Sequence, residues 1–183
     1  IDMYVKCGLL KEASEVFSQL IIGDVVSSTA MISGYACQGK VKKVLSLVSR
    51  MKRKGIQEDS ITILSVLTSC SHAGLVDRGC EYFRDVRKDN KAFLADEHYN
   101  CLIDLMARAG QLDKAIEVIE SMPLQPKPMM WMALLGACRK WGNVELARYA
   151  FISVVELSSD DKQATPFVLM LNIYGDSYMY EDA

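Results

Sequence analysis

The chain has 183 residues, of which 50% are hydrophobic and 24% are charged, and its formal net charge is −2. This composition is that of an ordinary globular chain, and the slightly negative charge excludes a protein that binds nucleic acid through overall charge alone. No apolar run of about 18 residues is present, so the sequence predicts no membrane span. It also carries no recognisable signal or transit segment.

A glycine that follows a short polar stretch recurs five times along the chain. Consecutive copies are 31, 35, 36 and 32 residues apart. The copies are Gly8, Gly39, Gly74, Gly110 and Gly142. The second residue after each glycine is Leu or Val, the ninth is Phe, Val or Ile, and the fifth is mostly small. Agreement at this many flanking positions indicates an internal repeat.

Each repeat is predicted to be a helix, a tight turn at the glycine and a second helix. Glycine adopts the left-handed conformation that ends many helices, and a small residue in the second helix lets the two helices approach closely. One such hairpin cannot bury its apolar faces alone, whereas stacked hairpins form a continuous core. The sequence therefore predicts an all-α fold, a right-handed α-α superhelix in which helix–turn–helix repeats stack as a solenoid of about five units.

In chain order, the first three predicted units differ in completeness and charge. Residues 1–24 form a partial unit whose second helix, LLKEASEVFSQL, has apolar residues at helical spacing. Residues 25–59 contain two helical patterns, and the second ends in a basic turn, RMKRKG, which suits the helix dipole. Residues 60–95 begin with a helix that is apolar enough to pack on both sides.

The last three predicted units follow the same pattern. Residues 96–127 begin with two acidic residues, which favour a helix N-terminus, and their second helix ends before a proline. Residues 128–161 carry two tryptophans, which we interpret as packing anchors. Residues 162–183 begin a further helix. Because both ends of the sequence fall inside helical patterns, we expect it to be a segment of a longer array.

No combination of residues predicts catalysis or metal binding. The six cysteines include no closely spaced pair, so we expect them to be small, reduced core residues. The zinc deaminase signature requires H-x-E and a later P-C-x-x-C, but neither His72 nor His98 begins an H-x-E and no C-x-x-C occurs. We interpret the lone His72 as structural. The sequence therefore predicts a protein that is not an enzyme and has no cofactor.

Positive charge is concentrated in a single unit. Residues 25–59 carry seven basic and two acidic residues, whereas the units on both ends of the chain are net acidic. The run Lys52, Arg53 and Lys54 offers candidate phosphate ligands, because phosphate contacts dominate nucleic-acid affinity. The same run also has a purely structural explanation as a charged, solvent-exposed helix surface.

Four stretches carry a resemblance to a known family. They read DVVSSTAMISGYACQGK, VLTSCSHAGLVDRG, EHYNCLIDLMARAGQLDKAIEVIESMP and WMALLGACRKWGNVELA. With the alternating repeat lengths, they resemble the plant pentatricopeptide repeat proteins of the mixed-length (PLS) class, which guide organellar RNA editing. The resemblance covers all 183 residues.

The resemblance implies a type for each unit. Residues 1–24 and 96–127 resemble short repeats, the first of them partial. Residues 25–59 resemble a standard repeat and residues 60–95 a long one. Residues 128–161 resemble the first carboxy-terminal extension motif, and residues 162–183 resemble the truncated start of the second.

The resemblance further implies that each repeat reads one base of single-stranded RNA. The readers are the fifth residue of the first helix and the last residue of the repeat, and in residues 25–59 these are Thr29 and Asp59. Thr with Asp implies guanine, since an aspartate accepts hydrogen bonds from the N–H groups of a purine. Val26 and Ile61, second in their repeats, would sandwich the base through apolar contact.

The other repeats depart from this pattern. In residues 60–95 the readers would be Leu64 and Ala95, whose side chains cannot form hydrogen bonds. In residues 96–127 they would be Asn100 and Lys127, of which Asn100 could contact a base edge and Lys127 a phosphate. The partial first repeat retains only Asp24, and Ser28 replaces the usual aromatic residue of the standard repeat.

The resemblance thus predicts an RNA-binding adaptor for C-to-U editing in the mitochondrion or the chloroplast. By the same analogy, a deaminase-like partner protein would dock on residues 128–183. Two alternatives stay open. One is a protein-binding solenoid similar to a tetratricopeptide array, although that family has a constant period of about 34 residues. The other is an inactive, truncated product.

Overall fold

The computed structural model describes residues 1–20, 24–89, 94–158 and 164–181. The eleven helices in these ranges are the only regular structure there, and they confirm the predicted all-α fold. In chain order they are α1 (Asp2–Lys6), α2 (Leu10–Gln19), α3 (Val25–Cys37), α4 (Val41–Arg53), α5 (Ser60–Ala73), α6 (Val76–Asp89), α7 (Asp96–Arg108), α8 (Leu112–Ser121), α9 (Pro128–Trp141), α10 (Val144–Leu157) and α11 (Ala164–Glu181). None of these described helices is long and apolar enough to cross a membrane.

The two helices of a hairpin differ in how they are buried. α3 and α5 contain no Asp, Glu, Lys or Arg, and each buries residues on several sides. α4 is amphipathic, with Val44, Val48 and Met51 buried and its charged residues on the remaining surface. α3 and α5 can therefore pack between neighbours, while α4 keeps one face in solvent.

Residues Ile1–Leu94 form one compact unit. Within it α3 packs against α1, α2, α4 and α5, and α5 packs against α4 and α6. The contact of α3 with α5 brings together side chains that lie about one repeat apart in sequence, because equivalent first helices stack. That contact positions the candidate site described below.

Residues Ala95–Ala183 form the second compact unit. Here α7 packs against α8 and α9, and α9 packs against α10 and α11. Trp131 is buried and meets Tyr149 edge-on, with ring centroids 5.4 Å apart. Trp141 is half-exposed, and its indole N–H donates to the Ala107 carbonyl at 3.0 Å. Both tryptophans therefore act as packing anchors, as predicted.

The glycine turns are formed as the repeat pattern predicts. All five repeat glycines have positive φ, a region that other residues seldom adopt. After Gly39, for example, the Lys40 N–H donates to the Tyr35 carbonyl at 2.9 Å and closes the end of α3. The residues five positions later are small and fully enclosed at Ala13, Ala115 and Ala147, so the predicted close approach of the helices is confirmed.

Replacing Gly110 by alanine is expected to destabilise the second unit more than the same change at Gly142. Both glycines have positive φ, so each alanine costs about 1–2 kcal/mol of backbone strain. A Cβ at Gly110 would also lie 3.0 Å from the Trp141 ring, whereas nothing lies within 4 Å at Gly142. The Trp141 ring must shift to admit this Cβ, and its hydrogen bond to Ala107 opposes the shift, so Gly110→Ala adds a packing cost that Gly142→Ala does not. Urea unfolding followed by circular dichroism measures the difference, and equal losses in the two variants would contradict the Trp141 contact.

The six cysteines fall into three groups by exposure, of which Cys80 and Cys101 are intermediate. Cys70 and Cys138 are fully buried, and burial raises the pKa of the Cys138 thiol to about 11. Cys7 and Cys37 are exposed, so the prediction that the cysteines are core residues is wrong for these two. Cys7 is the C-cap residue of α1 and Cys37 is the last residue of α3, so both lie at a helix end just before a repeat glycine.

Candidate nucleic-acid interface

Thr29 and Asp59 lie next to each other in the first unit. Thr29 is the fifth residue of α3, and Asp59 is the N-cap of α5. The Thr29 hydroxyl donates to the Asp59 carboxylate, with Oγ1 and Oδ2 3.1 Å apart. Thr29 is 6% exposed and Asp59 is half-buried. The packing of α3 on α5 thus brings together the two residues that the resemblance pairs.

Asp59 is also a structural residue. Its other carboxylate oxygen, Oδ1, accepts from the Thr62 backbone N–H at 2.8 Å and caps α5. The Thr62 hydroxyl, fully buried, lies 2.9 Å from the Thr29 hydroxyl. A single carboxylate therefore holds the start of α5 and the side chain of Thr29.

Two apolar side chains project from the first turns of the stacked helices. Val26 in α3 is 73% exposed, and Ile61 in α5 is 57% exposed. Val26 lies three residues before Thr29, on the same face of α3. Ile61 lies between the capping Asp59 and Thr62 in the chain. The structure thus leaves both predicted base-contacting residues open to solvent beside the Thr29–Asp59 pair.

Asp24 occupies in α3 the same place that Asp59 occupies in α5. Its Oδ1 accepts from the Ser27 backbone N–H at 2.7 Å and caps the helix. The Ser27 side-chain and backbone hydrogen bonds lower the pKa of the Asp24 carboxyl. At both ends of the 25–59 repeat, therefore, the predicted reading aspartate also begins the following helix.

The predicted readers of the 96–127 repeat each contact a different residue. The Lys127 ammonium forms an ion pair with Asp96 at 2.5 Å, and this partner raises the pKa of Lys127. The Asn100 amide nitrogen lies 3.8 Å from the Met129 sulfur. The Asn100 carbonyl oxygen is enclosed and has no hydrogen-bond partner among the described residues. Lys127 is thus already paired, and Asn100 retains an unused acceptor.

The predicted readers of the 60–95 repeat have apolar side chains and lie at the two positions expected from the repeat register. Leu64 is half-buried within α5, and Ala95 is the N-cap residue of α7. Ala95 cannot cap through its side chain, and its backbone N–H instead donates to Nδ1 of the fully buried His98 at 3.0 Å. His98 thus has a structural role at the start of α7.

The basic residues of the first unit lie on α4 and its ends. All seven basic residues of the 25–59 repeat fall between positions 40 and 54, and α3 carries none. Arg53 and Lys54, at the C-terminal end of α4, are exposed. Cations there also complement the helix dipole, so the structural explanation of this run holds beside the phosphate one.

Lys52 contacts two largely buried side chains. We name this cluster the Glu58 clamp and define it as Lys52, Glu58 and Tyr82. The Glu58 side chain is 7% exposed, and its Oε2 lies 3.8 Å from the Lys52 ammonium. The Tyr82 hydroxyl in α6 donates to Glu58 Oε1 at 3.1 Å, and Lys52 lies 5.2 Å from the Tyr82 ring centroid. Burial and the Glu58 charge raise the Tyr82 pKa far above its ordinary value. The clamp fixes the segment between α4 and α5, directly before Asp59.

Three features of the two units, each described by itself, were not predicted from the sequence. Thr62 lies three residues after an N-cap aspartate, a spacing that signals a cap but not a contact with Thr29. Met129, 68% exposed, is second in α9 as Val26 is in α3, so the repeat register could have found it. The Glu58 clamp joins residues 24 positions apart in sequence by its Tyr82 hydrogen bond, and no sequence pattern signals it.

The described residues hold no group of three His, Cys, Asp or Glu side chains that could bind a metal ion. In the described part of the first unit, the interface instead combines a hydrogen-bonding pair, two exposed apolar side chains and the exposed cations at the end of α4. Such a surface can form hydrogen bonds to a base edge, contact a base face and attract phosphate.

Helix hairpins stacked at a period of about 35 residues define the class of α-helical repeat proteins. Within that class, the PPR repeat family model matches residues 23–72, and the PPR repeat model matches residues 1–22 and 97–124. The chain belongs to the pentatricopeptide repeat family.

Relatives in Arabidopsis thaliana match along almost the whole chain. One mitochondrial pentatricopeptide repeat-containing protein is 44% identical over 177 residues, which is 97% of this chain and 28% of the relative. Another pentatricopeptide repeat-containing protein is 42% identical over 174 residues, which is 95% of this chain and 29% of the relative. The chain thus spans less than a third of the length of these two relatives.

Solved structures share the fold. The maize pentatricopeptide repeat protein PPR10 matches with a TM-score of 0.75 and 22% identity over 98% of this chain and 26% of its own. PPR10 in complex with an 18-nt psaJ RNA element matches with a TM-score of 0.64 and 20% identity, over 95% of this chain and 30% of its own. The PPR domain of Arabidopsis thaliana protein-only RNase P 1, in complex with tRNA, matches with a TM-score of 0.65 and 17% identity. The match covers 82% of this chain and 80% of that domain's chain.

Proposed function

We propose that this chain is a single-stranded RNA-binding adaptor that reads one base per repeat and recognises C-to-U editing sites in an organelle. The observation that carries the proposal is the Thr29–Asp59 pair, 3.1 Å apart between Oγ1 and Oδ2, beside the exposed Val26 and Ile61. Membership of the pentatricopeptide repeat family and the likeness to RNA-bound PPR10 support the RNA-binding part.

The proposed base for the 25–59 repeat is guanine. Asp59 is a carboxylate, which accepts hydrogen bonds only, and guanine presents N–H donors at N1 and N2 on its pairing edge. Val26 and Ile61 would contact the two faces of the base, with less stabilisation than the about 1–3 kcal/mol that aromatic stacking gives. Arg53 and Lys54 are the proposed phosphate ligands of this repeat, because the Glu58 clamp already engages Lys52.

The wider assignments are also part of the proposal. The six units keep the boundaries given above, and residues 128–183 are the proposed extension motifs. The proposed location of the full protein is the mitochondrion or the chloroplast, and the names of two relatives, which place them in the mitochondrion, support the first of these. The chemistry would come from a deaminase-like partner on residues 128–183. An apolar cavity of about 600 Å³ between α10 and α11, lined by Phe151, Phe167 and Leu171 among others, supports this docking site.

Selection from a pool of single-stranded RNAs, randomised at every position, tests the proposed function. We expect wild-type protein to enrich RNAs with a guanine at one position. Thr29→Asn should shift that preference from guanine toward uracil, since Asn with Asp implies uracil in the family code. Ser46→Asn is the matched control, because Ser46 is exposed on α4 and should leave the preference unchanged.

Two results would overturn the proposal. One is a wild-type protein that enriches no sequence, together with a stable protein partner recovered without RNA cross-linking, which would favour the protein-binding solenoid. The other is a Thr29→Asn variant that folds normally and keeps the wild-type preference.

A further inference from the structure

A closed set of hydrogen bonds lies under the Thr29–Asp59 pair. Thr29 Oγ1 is 3.1 Å from Asp59 Oδ2 and 2.9 Å from Thr62 Oγ1, and the Thr62 backbone N–H donates to Asp59 Oδ1 at 2.8 Å. Thr62 is fully buried and Thr29 is 6% exposed. Water therefore cannot readily replace either hydroxyl contact, and the three groups must satisfy one another.

The chemistry of these groups fixes the direction of each bond. A carboxylate has no proton to donate, so the Thr29 hydroxyl must donate to Asp59. A threonine hydroxyl has only one proton, so Thr29 cannot also donate to Thr62. The Thr62 hydroxyl must therefore donate to Thr29. The two hydrogen bonds are therefore donated in one direction: Thr62 donates to Thr29, and Thr29 donates to Asp59.

This order decides what the pair offers to a base. With its proton held by Asp59 and a lone pair held by Thr62, the Thr29 hydroxyl cannot turn to donate to a base. The groups left open are acceptor sites, chiefly on the half-buried Asp59 carboxylate. Such a site matches the N1–H and N2–H donors of guanine, whereas the adenine edge places an acceptor at N1.

We propose that Thr62 is a specificity-determining residue for the base read by Thr29 and Asp59, although it belongs to the next repeat and touches no base. It acts by occupying a lone pair of the Thr29 oxygen and by fixing the orientation of the Thr29 side chain. Without the Thr62 hydroxyl, Thr29 still donates to Asp59, but its oxygen gains an open acceptor site that can receive the N6 amino group of adenine. This inference rests on the proposed function, and it adds a third side chain to the pair that the family resemblance gives.

The test compares Thr62→Val with Thr62→Ser. Valine has nearly the shape of threonine and keeps the backbone N–H that caps onto Asp59, but it lacks the hydroxyl. Serine keeps the hydroxyl. The probes are four single-stranded RNAs taken from the wild-type selection that differ only at the enriched guanine. We expect Thr62→Val to reduce the guanine-to-adenine affinity ratio about tenfold, which corresponds to one hydrogen bond, and Thr62→Ser to keep it.

Ser65→Ala is the matched control for packing. Ser65 lies one turn further along α5, and its hydroxyl contacts that of Ser33 at 3.3 Å across the same helix interface. Removing it disturbs the contact of α3 with α5 without touching Thr29 or Asp59. We expect this variant to keep the wild-type guanine-to-adenine ratio, even if it loses some stability.

Each possible outcome of the binding measurements either supports or overturns the role of Thr62. A folded Thr62→Val variant with the wild-type ratio overturns the inference, as does an equal loss in Ser65→Ala. If Thr62→Val does not fold, Thr62→Ala takes its place as the variant without a hydroxyl. A wild-type protein that does not prefer guanine overturns the proposed function, and this inference with it. A wild-type preference for guanine that survives loss of the Thr62 hydroxyl overturns the inference alone.

Discussion

Replacing Asp59 by alanine is expected to lower the free energy of unfolding by about 2 kcal/mol and to abolish base selection at this repeat. The carboxylate caps α5 through the Thr62 N–H and accepts the Thr29 hydroxyl proton. Loss of an N-cap costs about 1 kcal/mol, and leaving the buried Thr29 donor without its acceptor costs about as much again. Urea unfolding and RNA selection measure the two effects on the same protein.

Asp59→Asn separates the structural from the recognition role. An asparagine can still accept from the Thr62 N–H, so most of the stability should remain. Its amide nitrogen, however, replaces the acceptor with a donor, and the preference for guanine should disappear. Asn143→Ala is the capping control, because Asn143 accepts from the Leu146 N–H at 3.0 Å at the start of α10. It should lose stability and keep base selection. Guanine preference that persists in Asp59→Asn would refute the recognition role of the carboxylate.

Replacing Tyr82 by phenylalanine is expected to cost about 1–3 kcal/mol and to weaken base selection. The change removes one donor from the buried Glu58 carboxylate, and a buried charge that loses a hydrogen bond is costly. Because Glu58 precedes Asp59, relaxation of the Glu58 clamp should also displace Asp59 from Thr29. Selection from the random RNA pool should then enrich guanine less strongly than with wild-type protein.

Tyr35→Phe is the matched control for this prediction. Tyr35 and Tyr82 are each 9% exposed and lie in the same unit. The Tyr35 ring contacts Lys40 at 5.9 Å, but its hydroxyl makes no hydrogen bond to the described residues. Phenylalanine should therefore be tolerated at this position. Similar stability losses in both variants would show that the Tyr82 hydroxyl does not support the clamp.

The repeat register was visible in the sequence because it is a local, periodic signal. The glycine turns, the enclosed small residues of the second helices and the all-α fold are all structural consequences of that period. The wrong prediction concerned Cys7 and Cys37. Cysteine is a residue type that is usually buried, but these two are exposed because they lie at helix ends.

The candidate site contains contacts that local sequence patterns do not predict. The pairing of Thr29 with Asp59 came from the family resemblance, and its use in base recognition stays a prediction. Thr62 and Tyr82 carried no sequence signal, because their roles depend on which side chains meet when helices pack. Lys52 and Lys127 looked like free cations in the sequence, whereas each has an acidic partner in the structure.

The sequence by itself determined the period, the turns and the family, since these depend on the spacing of apolar residues and glycines along the chain. Only the tertiary structure decided that Asp59 both caps α5 and holds Thr29, that Thr62 completes the hydrogen bonds, and that Lys52 is bound to Glu58. The physical reason is that a hydrogen bond between two helices depends on distances of a few tenths of an ångström, which packing sets and periodicity does not.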